Sequence, residues 1–441
     1  MDVELQILKH LARDAQSTAP VIDEYCAEYK DLFKEVRSYE CFKYLHLGII
    51  SSIKRKSLPE IAKTVGMISA QSLHHFIANS PWSVNELKEK RLRRLLKALN
   101  GQAIKVVIDE TGDRKKGKKT DYVSRQYLGS IGKVDNGIVS VNAYGIYENI
   151  SFPLIFKVFK PRGTLKEAEV YKTKIELAIE IITELMYFGL KIELVLSDSL
   201  YGESSQFIRK LEKYKLPYVV AIRSNHAVWM PDSQKVRANQ WCKFKRVLSN
   251  QKSETRYIRE IIYGKKKAVT YWEVTSEPET MPENSTSFIM TNIQGNVKNF
   301  LGNLYGLRTW VEYGFRQCKQ ELGWTDYRFT SFKDIEKWWE IIFSVYTIIS
   351  LNSQPFLSLN QQKISHVEKK DNSVDCSVHQ QWDCGSGWKN TLNNLRLIVQ
   401  PTLVFWLIFP WLEVFPTSKL LLGFNHLISL VNQHQPFYSS G

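Results

Sequence analysis

The sequence predicts a mixed α/β fold, a sheet flanked by helices and interrupted by a β-rich insertion, with helical regions before and after it. Three observations predict this. Residues 1–100 carry apolar side chains at helical spacing and few β-branched runs. From Lys105 the pattern changes to short β-branched segments that later alternate with amphipathic helical stretches. Between Val236 and Asn292 a second strand-rich block separates that alternation from a helical stretch near Tyr305. These shifts divide the chain into 1–100, 101–235 (first part of the core), 236–293 (the insertion), 294–352 (second part of the core) and 353–441 (linker and C-terminal helices).

In the first region, "SLPEIAKTVGMISAQSLHHFIANSPW" offers Ser57 as a cap with Pro59 and Glu60 in the first turn, then helical spacing at Ile61, Ala62 and Val65. Gly66 breaks that helix and Ser69 can cap a second, the pattern of a helix-turn-helix or of two bundle helices. In the second region "KVVIDET", "SRQYLGSIG" and "GIVSVNAYGIY" read as three antiparallel strands, with a tight hairpin expected at Asn136-Gly137. "FPLIFKVF" extends the sheet or forms its edge. An amphipathic stretch from Lys166 to Phe188, the strand "KIELVLSD", the helix "GESSQFIRKLEKYK" and the strand "YVVAIRSN" follow. Three antiparallel strands, then helix, strand, helix, strand, is the order of a ribonuclease-H-like core.

The insertion contains "RYIREIIYGKKKAVTYWEV" and "STSFIMTN", with a hairpin turn expected at Tyr263-Gly264-Lys265. A polar linker after Asn352 leads to the greasiest segment, Leu397 to Phe415. Gln400, Pro401 and Pro410 interrupt it and Glu413 closes it, so buried helices packed on the body are expected there and no membrane span.

The 44% hydrophobic and 24% charged shares are those of a globular protein, which excludes wholesale disorder. Sixty basic against 45 acidic residues leave a formal charge of +15, which calls for a polyanion: nucleic acid first, an anionic membrane surface second. Six cysteines without regular spacing predict reduced thiols and a cytoplasmic protein. The first residues carry acids and no apolar stretch, so no secretory signal is expected.

Two aspartates end strands: Asp109 in "VVIDET" and Asp198 in "LVLSDS". In this strand order the two are neighbours, so their carboxylates can meet at one edge of the sheet. A third acid, Glu312, lies on the helical stretch "YGLRTWVEYGFRQCKQELGW", where Tyr305, Arg308, Glu312, Phe315 and Lys319 share one face of a single expected helix. Converging carboxylates repel unless cations sit between them, and Mg²⁺ favours carboxylates and phosphate oxygens. Taken singly, an aspartate ending a strand is an ordinary turn former, and Arg308 with Glu312 an ordinary intrahelical pair. Glu110, Asp113 and Glu321 compete for the role; Glu110 points to the opposite face of its strand, and Glu321 lies on another helical face.

Tyr305, two residues, Arg308, three residues, Glu312, six residues, Lys319 resembles, without a gap, the signature of DDE transposases of bacterial insertion sequences, in the group with a β-rich insertion before the glutamate. "VVIDETGDRKKGKKTDYVSRQYLG" and "LSDSLYGE" are similar to the subgroup typified by insertion sequence seven-oh-one. The resemblance covers residues 20–350 and implies Asp109, Asp198 and Glu312 as catalytic metal ligands for two Mg²⁺ ions, with Mn²⁺ as a substitute. It also implies cut-and-paste transposition of double-stranded DNA: cleavage at terminal inverted repeats, then attack of the freed 3′-hydroxyl on target DNA, by at least a homodimer. In relatives an asparagine follows the glutamate; here Tyr313 does. The alternatives are a transposase-derived DNA-binding protein that no longer cuts, and a structure-selective nuclease on the same fold.

Tyr305, Arg308 and Lys319 are expected on DNA phosphates, as are Arg114, Lys115, Lys116, Lys118 and Lys119 in the glycine-broken loop after the first aspartate. Relatives stack an insertion aromatic on a flipped base, which implies DNA contact for Trp272, near Trp241, Tyr271 and the basic residues Lys243, Lys245, Arg246 and Lys265 to Lys267. A tryptophan buried in a small β domain is the competing reading. Cys376, His379, Cys384 and His366 match no common zinc module and read as linker residues.

Overall fold

The computed structural model describes residues 13–129, 131–227, 233, 235–248, 252–262, 269–364 and 376–433. His366, Lys265 to Lys267 and the expected Tyr263-Gly264-Lys265 hairpin lie outside these residues. Two compact units are present: Gly101–Arg316, and the combination of Met1–Asn100 with Gln317–Gly441.

The 101–316 unit is organised on one sheet. Strands β1 (Ile104–Arg114), β2 (Ser124–Leu128), β3 (Lys133–Tyr147) and β4 (Ile150–Phe159) pair antiparallel among themselves, whereas β5 (Ile192–Ser197) and β6 (Tyr218–Ile222) extend β1 in a parallel ladder. β-Branched runs such as Val106, Val107 and Ile108 supply the buried strand positions. The helix Lys174–Tyr187 packs on β3 and β4 through Leu177, Ile181 and Ile182. A reciprocal cap starts it: Thr173 Oγ1 accepts the Glu176 N–H and Glu176 Oε2 accepts the Thr173 N–H. This mixed sheet bears out the ribonuclease-H-like core.

Two details differ from expectation. The turn joining β2 to β3 lies between Leu128 and Lys133, which pair directly, and Asn136-Gly137 sits inside β3. Gly132 adopts φ +64° there, while a Cβ on Gly137 would lie 2.8 Å from the Asp113 carbonyl oxygen and 2.9 Å from Leu128, so glycine serves close strand packing instead of a turn. The insertion strands β7 (Arg237–Ala238), β8 (Cys242–Val247), β9 (Ser253–Ile262), β10 (Thr270–Thr275) and β11 (Ser287–Thr291) continue the core sheet, because β11 pairs antiparallel with β6 through Phe288↔Ile222 to Thr291↔Val219. The order is β2-β3-β1-β5-β6-β11-β10-β9-β7, with β4 on β3 and β8 on β9.

In the second unit, helices α1 (Pro20–Ala27), α2 (Val36–Ile50), α3 (Leu58–Thr64), α4 (Gln71–Ala78) and α5 (Val84–Leu99) gather with a later helix, Phe332–Leu351, whose side chains are buried almost throughout. Its core carries a fully buried ion pair, Arg91 Nε to Glu340 Oε1 at 2.6 Å. His46 Nδ1 donates to the Phe42 carbonyl and its Nε2 accepts from Ser344 Oγ, each at 2.8 Å. Burial lowers its pKa to about 4, so it is neutral at physiological pH. Gly66, at φ +70°, lies between α3 and α4 as expected, and Ser69 Oγ accepts the Gln71 N–H at 3.1 Å. Ser57 precedes α3 without a side-chain cap bond.

The tail corrects the sequence reading. Trp388–Val414 is one helix of 27 residues running through Pro401 and Pro410, followed by Ser418–Gln433. One face of its first half is buried from Trp388 to Leu403, but Leu407, Phe409, Trp411, Val414 and Phe415 are between 39% and 66% exposed. The helix is long and apolar enough to cross a membrane by length and composition. Apolar composition led to an expectation of burial, yet the second half stays exposed among the described residues.

Candidate active site

Strands β1 and β5 pair in parallel with Ile108 opposite Ser197, so Asp109 and Asp198 each follow directly from adjacent, paired positions. Asp109 lies opposite Asn142 of β3, only 9% exposed, and its Oδ1 accepts the Glu110 N–H at 2.8 Å. Asp198 opens the short helix α7 (Ser199–Gly202), numbering Lys174–Tyr187 as α6, and its Oδ1 accepts the Leu200 N–H at 3.0 Å. Burial pushes the Asp109 carboxyl up to about 7; Arg308 opposes this, and Asp198 and Glu312 add to it. Burial also raises Asp198, again against Arg308.

After α8 (Ser205–Lys213), the signature stretch forms two helices where a single one is expected: α9 (Leu301–Gly306) and α10 (Thr309–Gln320). Three-residue bonds, Arg308 N–H to the Tyr305 carbonyl at 3.0 Å and Trp310 N–H to the Leu307 carbonyl at 2.9 Å, tighten the chain between them. Tyr305 therefore belongs to α9, Glu312 to the first turn of α10 and Lys319 to its last. Phe315 docks α10 on the sheet, edge-on to Tyr144 at 5.4 Å and 89°. Gly314 permits this, since a Cβ there would lie 2.6 Å from the same ring.

Arg308 ties the acids together. Its Nη1 lies 3.6 Å from Asp109 Oδ2 and its Nη2 3.4 Å from Glu312 Oε1. Burial alone would lower the Arg308 pKa, but Tyr305, Asp109, Glu312 and Asp198 overcome it and hold the guanidinium firmly charged. The competing acids are otherwise engaged. Glu110 accepts from Lys174 Nζ at 2.8 Å, Asp113 pairs with Lys115 at 2.7 Å, and Glu321, in the other unit, pairs with Lys389 and Arg396 at 2.5 and 3.1 Å. A buried residue that strand patterning did not flag is Tyr201, whose hydroxyl has no hydrogen-bond partner among the described residues and feels Glu110, Asp109 and Asp198. Its place in "DSLYG", three residues after the aspartate on a single helical turn, was the available signal.

The profile of the DDE superfamily endonucleases matches residues 31–246, and that of the transposase DDE domain matches residues 170–348. The chain is also 51% identical over 325 residues to the probable transposase for insertion sequence element IS701 of Microchaete diplosiphon, a match covering 74% of this chain and 86% of the relative. The chain belongs to the DDE transposases.

The activity of a DDE transposase is endonucleolytic cleavage and strand transfer on DNA, and the family uses divalent metal ions. The donor chemistry here fits such ions: hard carboxylate oxygens, two of them already sharing one cation, Arg308, between strand and helix. Among the described residues no three acids stand close enough to ligate one ion as the side chains are placed, and the Glu312 side chain is 52% accessible.

The DNA-facing expectations divide. Lys116, Lys118 and Lys119 are exposed after β1, whereas Arg114 pairs with Asp135 at 2.8 Å and Lys115 with Asp113. Trp272 is buried, 6% exposed, with its indole N–H donated to Thr270 Oγ1 at 2.8 Å. That burial is what the competing reading, a tryptophan buried in a small β domain, expects. Trp241 lies under the Arg259 guanidinium at 4.3 Å. Tyr313, at the position where relatives carry asparagine, stacks with Arg316 at 5.3 Å.

Proposed function

We propose that Asp109, Asp198 and Glu312 are the acids that cut and join DNA strands in this transposase, and that Tyr305, Arg308 and Lys319 hold the scissile and flanking phosphates. One observation carries the reading: a single guanidinium, Arg308, spans the Asp109 carboxylate within β1, one residue past its pairing with β5, and the Glu312 carboxylate on α10, with Asp198 at the end of β5 within its field. That is the charge arrangement a dication and a phosphate would share. Water attacks the phosphodiester at a transposon end; the new P–O bond forms as the bond to the 3′-oxygen breaks, and that oxygen leaves as a hydroxyl. The freed 3′-hydroxyl then attacks a target phosphodiester and displaces a target 3′-oxygen. When bound by the three acids, two Mg²⁺ ions, or Mn²⁺, would lower the pKa of the attacking water and balance charge on the leaving oxygen. Arg308 would turn from the carboxylates to the phosphate as the cations take its place.

In this reading the substrate is double-stranded DNA, held at terminal inverted repeats by a homodimer, in the cytoplasm at the nucleoid. Region 1–100 would read DNA through α3 and α4, whose outward positions include Gln71, His74 and His75. Regions 101–235 and 294–352 would carry the chemistry, and Lys116, Lys118 and Lys119 would track the backbone. Strand cleavage on a duplex bearing the repeats that flank the gene tests the assignment. Wild type is expected to nick with Mg²⁺ and Asp198→Asn to bind without nicking; equal nicking by both overturns it.

A further inference from the structure

We propose that strand β8 of the insertion is a strut for the glutamate helix, and that Arg246 is the positioning residue that fixes where Arg308 and Glu312 stand. The inference rests on the reading of Glu312 as a catalytic acid.

Alternate residues of β8 face opposite ways: Lys243, Lys245 and Val247 are exposed, and Phe244 and Arg246 turn inward. The inward pair meets two glycines of α9. A Cβ on Gly302 would lie 2.3 Å from the Phe244 ring, and one on Gly306 would lie 3.0 Å from Arg246 Nε. The spacings match. Four residues of helix rise about 6 Å, and two residues of strand rise about 6.6 Å. Gly302 and Gly306 thus let the helix settle on Phe244 and Arg246 in register. The Val247 N–H adds a bond to Asn303 Oδ1 at 3.2 Å.

Arg246 reaches the point where α9 becomes α10. Its Nη2 donates to the Gly306 carbonyl at 3.4 Å and to Thr309 Oγ1 at 3.2 Å, while Thr309 Oγ1 donates to the same carbonyl at 2.8 Å. Its Nη1 meets Glu254 Oε1 at 3.3 Å, directly across the ladder on β9, and Arg256 Nε shares that oxygen at 2.9 Å. One planar fork therefore fastens the last residue of α9 and the first of α10 to the sheet. Arg308 lies between those two residues, and Glu312 lies one turn on. A lysine has a single ammonium on a flexible stem and cannot hold all three acceptors in one plane.

The test uses the full chain without DNA, then with it. Mn²⁺ affinity by electron paramagnetic resonance, and the Mn²⁺ dependence of nicking on the flanking-repeat duplex, are compared for wild type, Arg246→Ala, Arg246→Lys, Thr309→Val and Glu312→Gln. Duplex affinity in EDTA and the unfolding midpoint are measured alongside. Arg246→Ala is expected to weaken Mn²⁺ binding and raise the Mn²⁺ needed for half-maximal nicking about tenfold or more, the range for partners that orient a metal ligand. Arg246→Lys should fall between it and wild type, and duplex affinity in EDTA should hold. Thr309→Val, which keeps the fold's volume, should shift both in the same direction by less, and decides the matter if Arg246→Ala does not fold. Unchanged Mn²⁺ dependence in the folded variants overturns the strut, as does a fall in duplex affinity that accounts for all the lost nicking. If Glu312→Gln nicks like wild type, the acid assignment itself fails; if Glu312→Gln is inactive while Arg246→Ala and Thr309→Val match wild type, only the strut fails.

Discussion

Asp109 and Asp198 each follow the last paired residues, Ile108 and Ser197, of one parallel ladder, whereas Glu312 projects from a helix fastened at its start by side chains. The two aspartates are set by backbone pairing, which any sequence that keeps the register preserves. The glutamate is set by Phe315 on Tyr144, by Arg246 at the helix junction and by the shared guanidinium of Arg308. The difference teaches that one half of this site is built from fold and the other half from particular side chains. Substitutions far from the chemistry should therefore disturb Glu312 much more readily than the aspartates.

The largest effect expected is at the ladder-held acids. Asp109→Asn or Asp198→Asn should reduce nicking at least about 10³-fold, the upper range for loss of one charge-stabilising group, with duplex binding in EDTA retained in a gel-shift titration. Arg308→Ala removes the cation that joins the two halves and should lower single-turnover nicking about 10²-fold, with Arg308→Lys recovering part of it.

The two units should also answer pH in opposite senses. Asp109, raised to about 7, keeps a proton in the folded, metal-free chain that the unfolded chain gives up above its ordinary value of 3.8, so its contribution to stability is lost as pH rises through about 7. His46, lowered to about 4 from 6.5, stays neutral when folded, and its contribution is lost as pH falls from 6.5 towards 4. Urea unfolding at pH 4.5, 6 and 8 should show each loss at roughly 2 to 3 kcal/mol. Asp109→Asn is expected to flatten the alkaline limb and His46→Gln the acid one. The smallest effect is on the rim: replacing Lys116, Lys118 and Lys119 with alanine should reduce the salt slope of DNA binding by about 0.9 for each phosphate no longer neutralised, read from affinities at several salt concentrations.

The strand-held half was legible in the sequence because "VVID" and "LVLSD" each run apolar to an acid, and their pairing follows from chain order; the end of the first strand was not, since β1 continues through Asp109 to Arg114 on β3. Glu312 was legible through its spacing from Tyr305, Arg308 and Lys319. The break between Tyr305 and Glu312 was not, because Gly306 is ordinary in a helix until Arg246 and Thr309 compete for its carbonyl. The turn at Asn136-Gly137 was misplaced because the same glycine that suits a hairpin also suits close approach of Asp113 and Leu128. Trp272 kept two readings open in the sequence because period-two alternation does not say which face of a strand is covered. The tail was misjudged because apolar composition states a preference for burial without naming a partner.

The chain leaves the parallel ladder along β6 and comes back beside it along β11, so the excursion between them closes on its own point of departure. Residues gained or lost at its distal turns would cost only the slow logarithmic penalty of a longer loop and would leave the doorway to the glutamate helix where it is. The far rim is thus free to change length, while β8, midway along it, is not free to move.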